Sequence, residues 1–384
     1  MSEASSRRVR RQLWRARVAA GIATVSTAAV VAVTANGASA HMTAHAKAPA
    51  VLSASVHPPT FDNTKLIGIR NALSKAMKGK SLGGVNTWMV VNILATYWVA
   101  GKEGNAAAAK ELGIPAHFEG PSQGQLTTQV SMYNTLGANG ANGLFTSVID
   151  PVSEGATINR LGGKGMNVVA IDSPVPAKNA KTFTYIGTPN TTAGEAAGAA
   201  MKKALGPKGG DVAILEGSAT ATNSLQRIAG FKAALKGSKV TVSTVQNDNG
   251  AASAAASNAA NVIGSNPNLK GIYGVYSYDG PAAAVAVKSK GKIGKIKVIA
   301  DDTEPGTITG LQNGAVAASI IQQPFMQGYL GTYVTAAMKV LGAAKVKSLI
   351  APFLTAGVVS TGVGTLTKAN LAQDVAYNKT ISAF

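Results

Sequence analysis

The chain contains no cysteine in 384 residues, which excludes disulfides, thiolate metal sites and a lipid-bearing cysteine behind an export signal. Histidine is almost as scarce. The four present (His41, His45, His57, His117) fall early, so a Ser-His-Asp arrangement or a histidine-ligated metal has no imidazole at the late strand ends. No G-x-S-x-G, G-x-G-x-x-G or Walker loop stands where an apolar run meets a helical one. The glycine-rich stretch at 137–143 matches none of these spacings and reads as a helix end plus turn. Paired carboxylates could serve acid/base chemistry, but nothing here asks for an enzyme, a metal or a cofactor. Acidic residues are also few, 17 against 36 Lys and Arg, for a net charge of +19. That sign raises nucleic acid or an anionic membrane as partners. The lysines, however, are spread singly or in pairs (Lys178, Lys181, Lys202, Lys203, Lys208), without an arginine-rich run or interleaved aromatics. They read as a solvated surface, and no nucleic-acid partner is expected.

The arginines concentrate at the start. "RRVRRQLWRAR" is followed by the small-residue apolar run "VAAGIATVSTAAVVAV" and by "ANGASA" before His41, the pattern of a secretory signal cleaved near Ala40. "VRRQLWR" and the weakly hydrophobic run also suit the twin-arginine route. As an uncleaved anchor the run is short and weakly apolar. Without an anchoring cysteine, a free protein in a Gram-negative periplasm is expected. Residues 41–83 read as a leader holding one helix, in "DNTKLIGIRNALSKAMKG".

The length exceeds what one core usually supports, so two lobes are expected. From about 84 to 322, short apolar runs such as "VNTWMVVN", "MNVVAID", "DVAILEG" and "GIYGVYSYD" alternate with alanine-rich helical segments such as "TTAGEAAGAAMKKAL". This beat predicts βαβ units, hence an α/β fold of two doubly wound Rossmann-like lobes with parallel sheets. The runs end in polar residues: Asn92, Glu119, Asp150, Asp172, Glu216, Asn247, Asp279, Asp301 with Asp302, and Gln322. Ligands of open parallel sheets bind beyond the carboxyl ends of the strands, so these side chains are candidates for one cleft. Asp150, before Pro151, and Asp301 read instead as helix caps.

From about Gly84 onward the chain resembles the type I periplasmic solute-binding proteins of ABC importers, in the ribose-like group that binds monosaccharides and related polyols. "ATYWVAGKEGNAAAAKELG" is similar to the family's first-helix motif, with Tyr97 and Trp98 at the paired aromatic positions. "VVAIDSPVP" resembles its ligand-aspartate strand and points to Asp172. "SATATNSLQRIAGFKAAL" resembles the segment bearing a ligand arginine, here Arg227. "VIADDTEP" points to a second ligand aspartate, Asp302, and "ASIIQQPFMQG" to Gln322. The resemblance implies three crossings between lobes, near Thr188, after Gln322 and near Pro352. The first lobe would then hold 84–188 and 323–351, the second 189–322 and 352–384. It also implies a monomer, without catalysis or cofactor, that delivers a small polyhydroxylated ligand to the transmembrane subunits of a permease.

The chain departs from the family pattern in two places. "NILATYW" has Ala95 and Thr96 where Asn-Pro is usual, so Asn92 is expected to supply the lost amide. "VQNDNGAA" lacks the usual aromatic, while "VYSYDGPAA" replaces an Asn-Asp pair with Tyr276, Ser277 and Tyr278. The ring-covering surface is therefore expected to have moved to the neighbouring strand, with Tyr276 or Tyr278 supplying it. Alternatively, both tyrosines pack under the hinge and Asp279 caps the next helix. These departures make ribose itself doubtful as ligand. The competing function is a protein presenting ligand to a sensor, including a furanosyl quorum signal, to which "HFEGPSQGQLTTQ" has some likeness. A periplasmic sugar enzyme is a third reading.

Overall fold

Runs rich in Val, Ile and Phe, too short for helices and apolar on both faces, fold as buried parallel strands between covering helices. The computed structural model describes residues 61–374; the expected export signal and residues 41–60 of the leader lie outside the described residues. Two six-stranded sheets result. The first runs β11 (Val359–Ser360), β5 (Tyr185–Gly187), β4 (Asn167–Ile171), β3 (Gly143–Thr146), β1 (Thr87–Val90), β2 (His117–Glu119), all parallel. The second runs β12 (Gly364–Leu366), β10 (Ala318–Ile321), β9 (Lys297–Asp301), β8 (Leu269–Gly274), β6 (Gly210–Glu216), β7 (Val240–Asn247), with only the β10–β12 pair antiparallel. This is the two-lobed α/β architecture that the alternation predicts. The orders correspond strand for strand, so β4 of one sheet holds the place of β9 in the other.

The chain leaves the first sheet after β5, returns after β10, and leaves again between Ser360 and Gly364. The third passage therefore lies beyond the expected Pro352, and residues 352–360 stay with the first lobe. The physical reason is the helix Thr64–Met77. Its Leu66, Ile69, Leu73 and Met77 are buried in the first lobe's core with Phe325, Tyr333 and Ile350. Phe353 lies over Gly68 of this helix, with its ring 2.3 Å from where a Cβ would stand. The helix of the expected leader thus belongs to the first lobe and holds the chain there until β11 has joined the sheet, while Phe61 just before it packs in the second lobe's core.

Close helix packing sets the positions of the site residues. In the second lobe the Arg227 carbonyl lies 1.9 Å from where a Cβ on Gly194 would stand. Only glycine permits that approach, which presses the helix Thr222–Leu235, bearing Asn223 and Arg227, onto the helix Asn190–Leu205, bearing Asn190.

Candidate functional site

At the carboxyl ends of the strands, between the two sheets, side chains converge on a cavity of about 30 Å³, roughly the space of one water molecule. Its wall includes Asn92, Tyr97, Trp98, Asp172, Arg227, Tyr276, Asp302 and Gln322, so every ligand residue expected from the sequence comes to one place. Asn223, Ser277 and Tyr278 line it too. A larger space of about 550 Å³ adjoins it, sharing Tyr97, Asp302 and Gln322.

Asp172 and Asp302 follow the corresponding strands β4 and β9, and both adopt the left-handed backbone conformation, with φ of 55° and 65°. Among non-glycine residues Asp and Asn tolerate this region best. The turn takes each carboxylate off the strand's alternation and into the cavity wall. Asp172 Oδ2 accepts from Ser147 Oγ at 2.8 Å and, across the cleft, from Asn223 Nδ2 at 3.0 Å. Both carboxylate oxygens of Asp302 accept from Gln322 Nε2, at 3.0 and 3.1 Å.

Arg227 is buried and donates on every side. Nε reaches Asn190 Oδ1 at 3.0 Å, and one Nη reaches the Val275 carbonyl at 3.2 Å and Asp301 Oδ2 at 3.0 Å. The other Nη donates to Gln322 Oε1 and lies 3.8 Å from Asp172 Oδ1 in the opposite lobe. The helix-cap reading of Asp301 is thereby overturned: its carboxylate is the buried counter-ion of Arg227 and accepts from Tyr273 Oη at 3.4 Å. Asp150 does cap its helix, accepting from the Val152 amide at 2.9 Å.

Burial opposes the Arg227 charge, but the carboxylates of Asp301, Asp172 and Asp302 outweigh it and push the pKa up. Burial pushes the Asp301 carboxyl up to about 7 against the pull of Arg227. Asp302 is raised well above the carboxylate range by burial and then by the neighbouring Asp301 charge. One guanidinium thus faces three carboxyl groups that resist carrying three charges together.

Gln322 Oε1 also accepts from Thr188 Oγ1 at 2.8 Å and from Tyr97 Oη at 3.5 Å, which ties both lobes and the hinge to a single amide. Trp98 is 2% exposed and packed in the first lobe's core, and its indole donates to Asn92 Oδ1 at 3.0 Å. Tyr97 meets its edge, with ring centroids 4.8 Å apart and planes at 81°. The two tyrosines of the second lobe divide. Tyr278 donates to Asp248 Oδ1 at 2.9 Å, whereas the Tyr276 hydroxyl is buried without a hydrogen-bond partner among the described residues. Asp279 opens the next helix and accepts from the Tyr276 amide at 2.9 Å.

Asn223, Asn190, Thr188 and Asp301 complete the network and were not expected there from the sequence. The sequence signal for Asn223 is its place four residues before Arg227 on a helix, hence on the same face. At the rim, Ser218 and Thr220 of the second lobe donate to the Ile149 carbonyl of the first at 3.4 and 3.3 Å.

The family model described as periplasmic binding protein domain matches residues 88–343. The D-allose-binding periplasmic protein of Escherichia coli (strain K12) is 28% identical over 242 residues, covering 61% of this chain and 78% of that protein. A solute-binding protein of an ABC transporter from Burkholderia graminis, solved in complex with D-arabinose, is 27% identical with a TM-score of 0.65, covering 76% of this chain and 98% of that one. The solved XylFII-LytSN complex is similar at 25% identity and a TM-score of 0.66, covering 74% and 99%. The chain belongs to the periplasmic binding protein domain family and has its type I, two-lobed fold.

Proposed function

We propose that the chain is the substrate-binding component of an ABC importer, which takes a monosaccharide or related polyol between its lobes and hands it to a membrane permease. The observation that carries this reading is the Tyr276 hydroxyl, buried in the wall of the interlobe cavity with no partner among the described residues. A buried hydroxyl without a hydrogen bond is costly, and a sugar hydroxyl would satisfy it. The surrounding groups suit the same ligand. Sugar rings present C–H faces to aromatics such as Trp98 and Tyr276, and rim hydroxyls to carboxylates, amides and guanidinium, here Asp172, Asp302, Asn92, Gln322 and Arg227. Tyr97 shapes the wall between them.

A cavity of about 30 Å³ is far below the usual 300–1,000 Å³ of a ligand pocket, so binding requires the lobes to part. In the closed arrangement Asp172 is held by Asn223 and Arg227 of the opposite lobe. A sugar would replace these links with bonds to both lobes, and that differential affinity is what returns the protein to a closed state. Export to the periplasm, with the signal removed near Ala40, and action as a non-enzymatic monomer belong to this reading. The kinship with D-allose- and D-arabinose-binding proteins supports the substrate class. A role in presenting ligand to a second protein is supported by the likeness to the XylFII-LytSN complex. A thermal-shift screen against D-allose, D-ribose, D-arabinose and polyols tests the proposal, since ligand at 100 times its Kd stabilises by about 2.7 kcal/mol. If no pentose, hexose or polyol raises the melting temperature, the sugar reading fails.

A further inference from the structure

The lysines that look dispersed along the sequence are gathered by the fold at one end of the second lobe. Lys239, Lys270 and Lys297 stand at the starts of β7, β8 and β9, with β6 lying between β7 and β8 in the sheet. Gly209 and Gly210, both at positive φ, bring Lys239 and Lys270 against the start of β6, where Cβ atoms would lie 2.2 and 2.4 Å from them. Lys203, Lys236 and Lys288 close helices at the same end and are exposed. The lobe's carboxylates lie mostly at the other end, where Glu216, Asp248, Asp279, Asp301 and Asp302 end or follow strands beside the cleft. At the basic end the exception is the half-buried Asp211 in β6. Lysines at helix ends complement the helix dipole, but those on strand starts have no such reason to be there.

The loop before β9 adds an apolar tip. In "GKIGK" the Lys295 amide donates to the Lys292 carbonyl at 2.9 Å, closing a tight turn with Gly294 at a φ of 80°. Ile293 stands at its corner and is 41% exposed, with exposed Lys292 and Lys295 on either side. An apolar side chain held out between two cations suits the boundary between lipid headgroups and acyl chains. It does not suit nucleic acid, which would be met by stacking aromatics.

We infer that this pole of the second lobe docks on anionic lipid headgroups, with Ile293 reaching below them. The docking is peripheral: among the described residues no helix is long and apolar enough to cross a membrane. It is also separate from the sugar cavity, which lies at the opposite ends of the strands.

The chain's lack of cysteine makes a local test straightforward. Full-length Ile293→Cys is labelled with an environment-sensitive fluorophore and mixed with phosphatidylglycerol–phosphatidylcholine vesicles at low salt. Ser81→Cys, exposed beside Lys78, Lys80 and Lys339 in the first lobe, serves as the equally basic control. The Ile293 probe should shift to the blue and be quenched by bilayer-embedded quenchers; the Ser81 probe should do neither. Adding Lys270→Gln, Lys292→Gln and Lys295→Gln should weaken vesicle partition of the Ile293-labelled chain about a hundredfold, and 0.5 M salt should abolish it. The inference is overturned if the Ile293 probe stays in water, or if both probes shift alike, since that is diffuse charge attraction. It is equally overturned if the shift persists on neutral vesicles, or if only duplex DNA or an anionic polysaccharide produces it.

Discussion

Replacing Tyr276 with Phe removes one oxygen and keeps the ring, which isolates what that oxygen does. The ring lies against Gly217, where a Cβ would stand 2.2 Å from it, and beside Tyr278 at a centroid distance of 6.0 Å and 73°. The phenylalanine ring keeps both contacts. The hydroxyl is buried without a partner among the described residues, a state that costs about 1–3 kcal/mol. Tyr276→Phe should therefore melt no lower than the parent, and higher by about 2 °C if half of that cost is present in the free protein. Binding should move the other way. A hydrogen bond between neutral hydroxyls contributes about 0.5–1.5 kcal/mol, so the Kd for the sugar that scores best in the screen should rise about 2- to 12-fold. Calorimetric titration and differential scanning calorimetry on the same two proteins give both numbers. Lower stability with an unchanged Kd would refute the argument, because the hydroxyl would then be supporting the fold rather than awaiting a ligand.

Asp172→Ala should weaken sugar binding by about 2–4 kcal/mol, or 30- to 1,000-fold by titration, because it strands polar groups in a dry cleft; a change under threefold would remove Asp172 from the site. Arg227→Ala should lose binding and also about 3–5 kcal/mol of stability in denaturant melts, since it leaves Asp301 buried without its cation; unchanged stability would mean the pair is not formed in solution. Gly124→Val should loosen closure without touching a ligand group, because a Cβ at Gly124 stands 2.9 Å from the Asn249 carbonyl of the other lobe. Its sign is a larger radius of gyration by small-angle scattering in saturating sugar than the parent shows. Burial pushes the carboxyls of Glu154 and Asp301 up to about 7, so between their unfolded values near 4 and pH 7 the folded state holds more protons than the unfolded one. Stability is then greatest at the acid end of that window and falls as pH rises to about 7. The melting temperature should be higher at pH 5 than at pH 8, and Glu154→Gln should reduce the slope; a rise in stability with pH would contradict the sign.

The parts of this molecule that could be read from sequence are those set by local pattern. Parallel strands buried on both faces leave continuous apolar runs, and the cleft of such a sheet takes the residues that end them, so Asn92, Asp172 and Gln322 were readable as site candidates from residue order alone. The third crossing was not, because it depends on Phe353 finding Gly68, a contact between segments far apart in the chain. The clustering of the lysines was hidden for the same reason: neighbours in a sheet edge are strangers in sequence. Asp301 and Asp302 show the limit most sharply. They are adjacent and identical in chemistry, and alternation along a strand says only that they face opposite ways. The left-handed turn at Asp302 sets its carboxylate on Gln322 in the cavity wall, while Asp301, still in the strand, pairs with Arg227. Asp302→Gly should keep this turn while removing the carboxylate, whereas Asp302→Val opposes the turn itself. Val should therefore disturb the Arg227–Asp301 pair and lower stability, while Gly should mainly cost affinity. Equal stability of the two variants would show that the backbone at 302 does not sort the two aspartates.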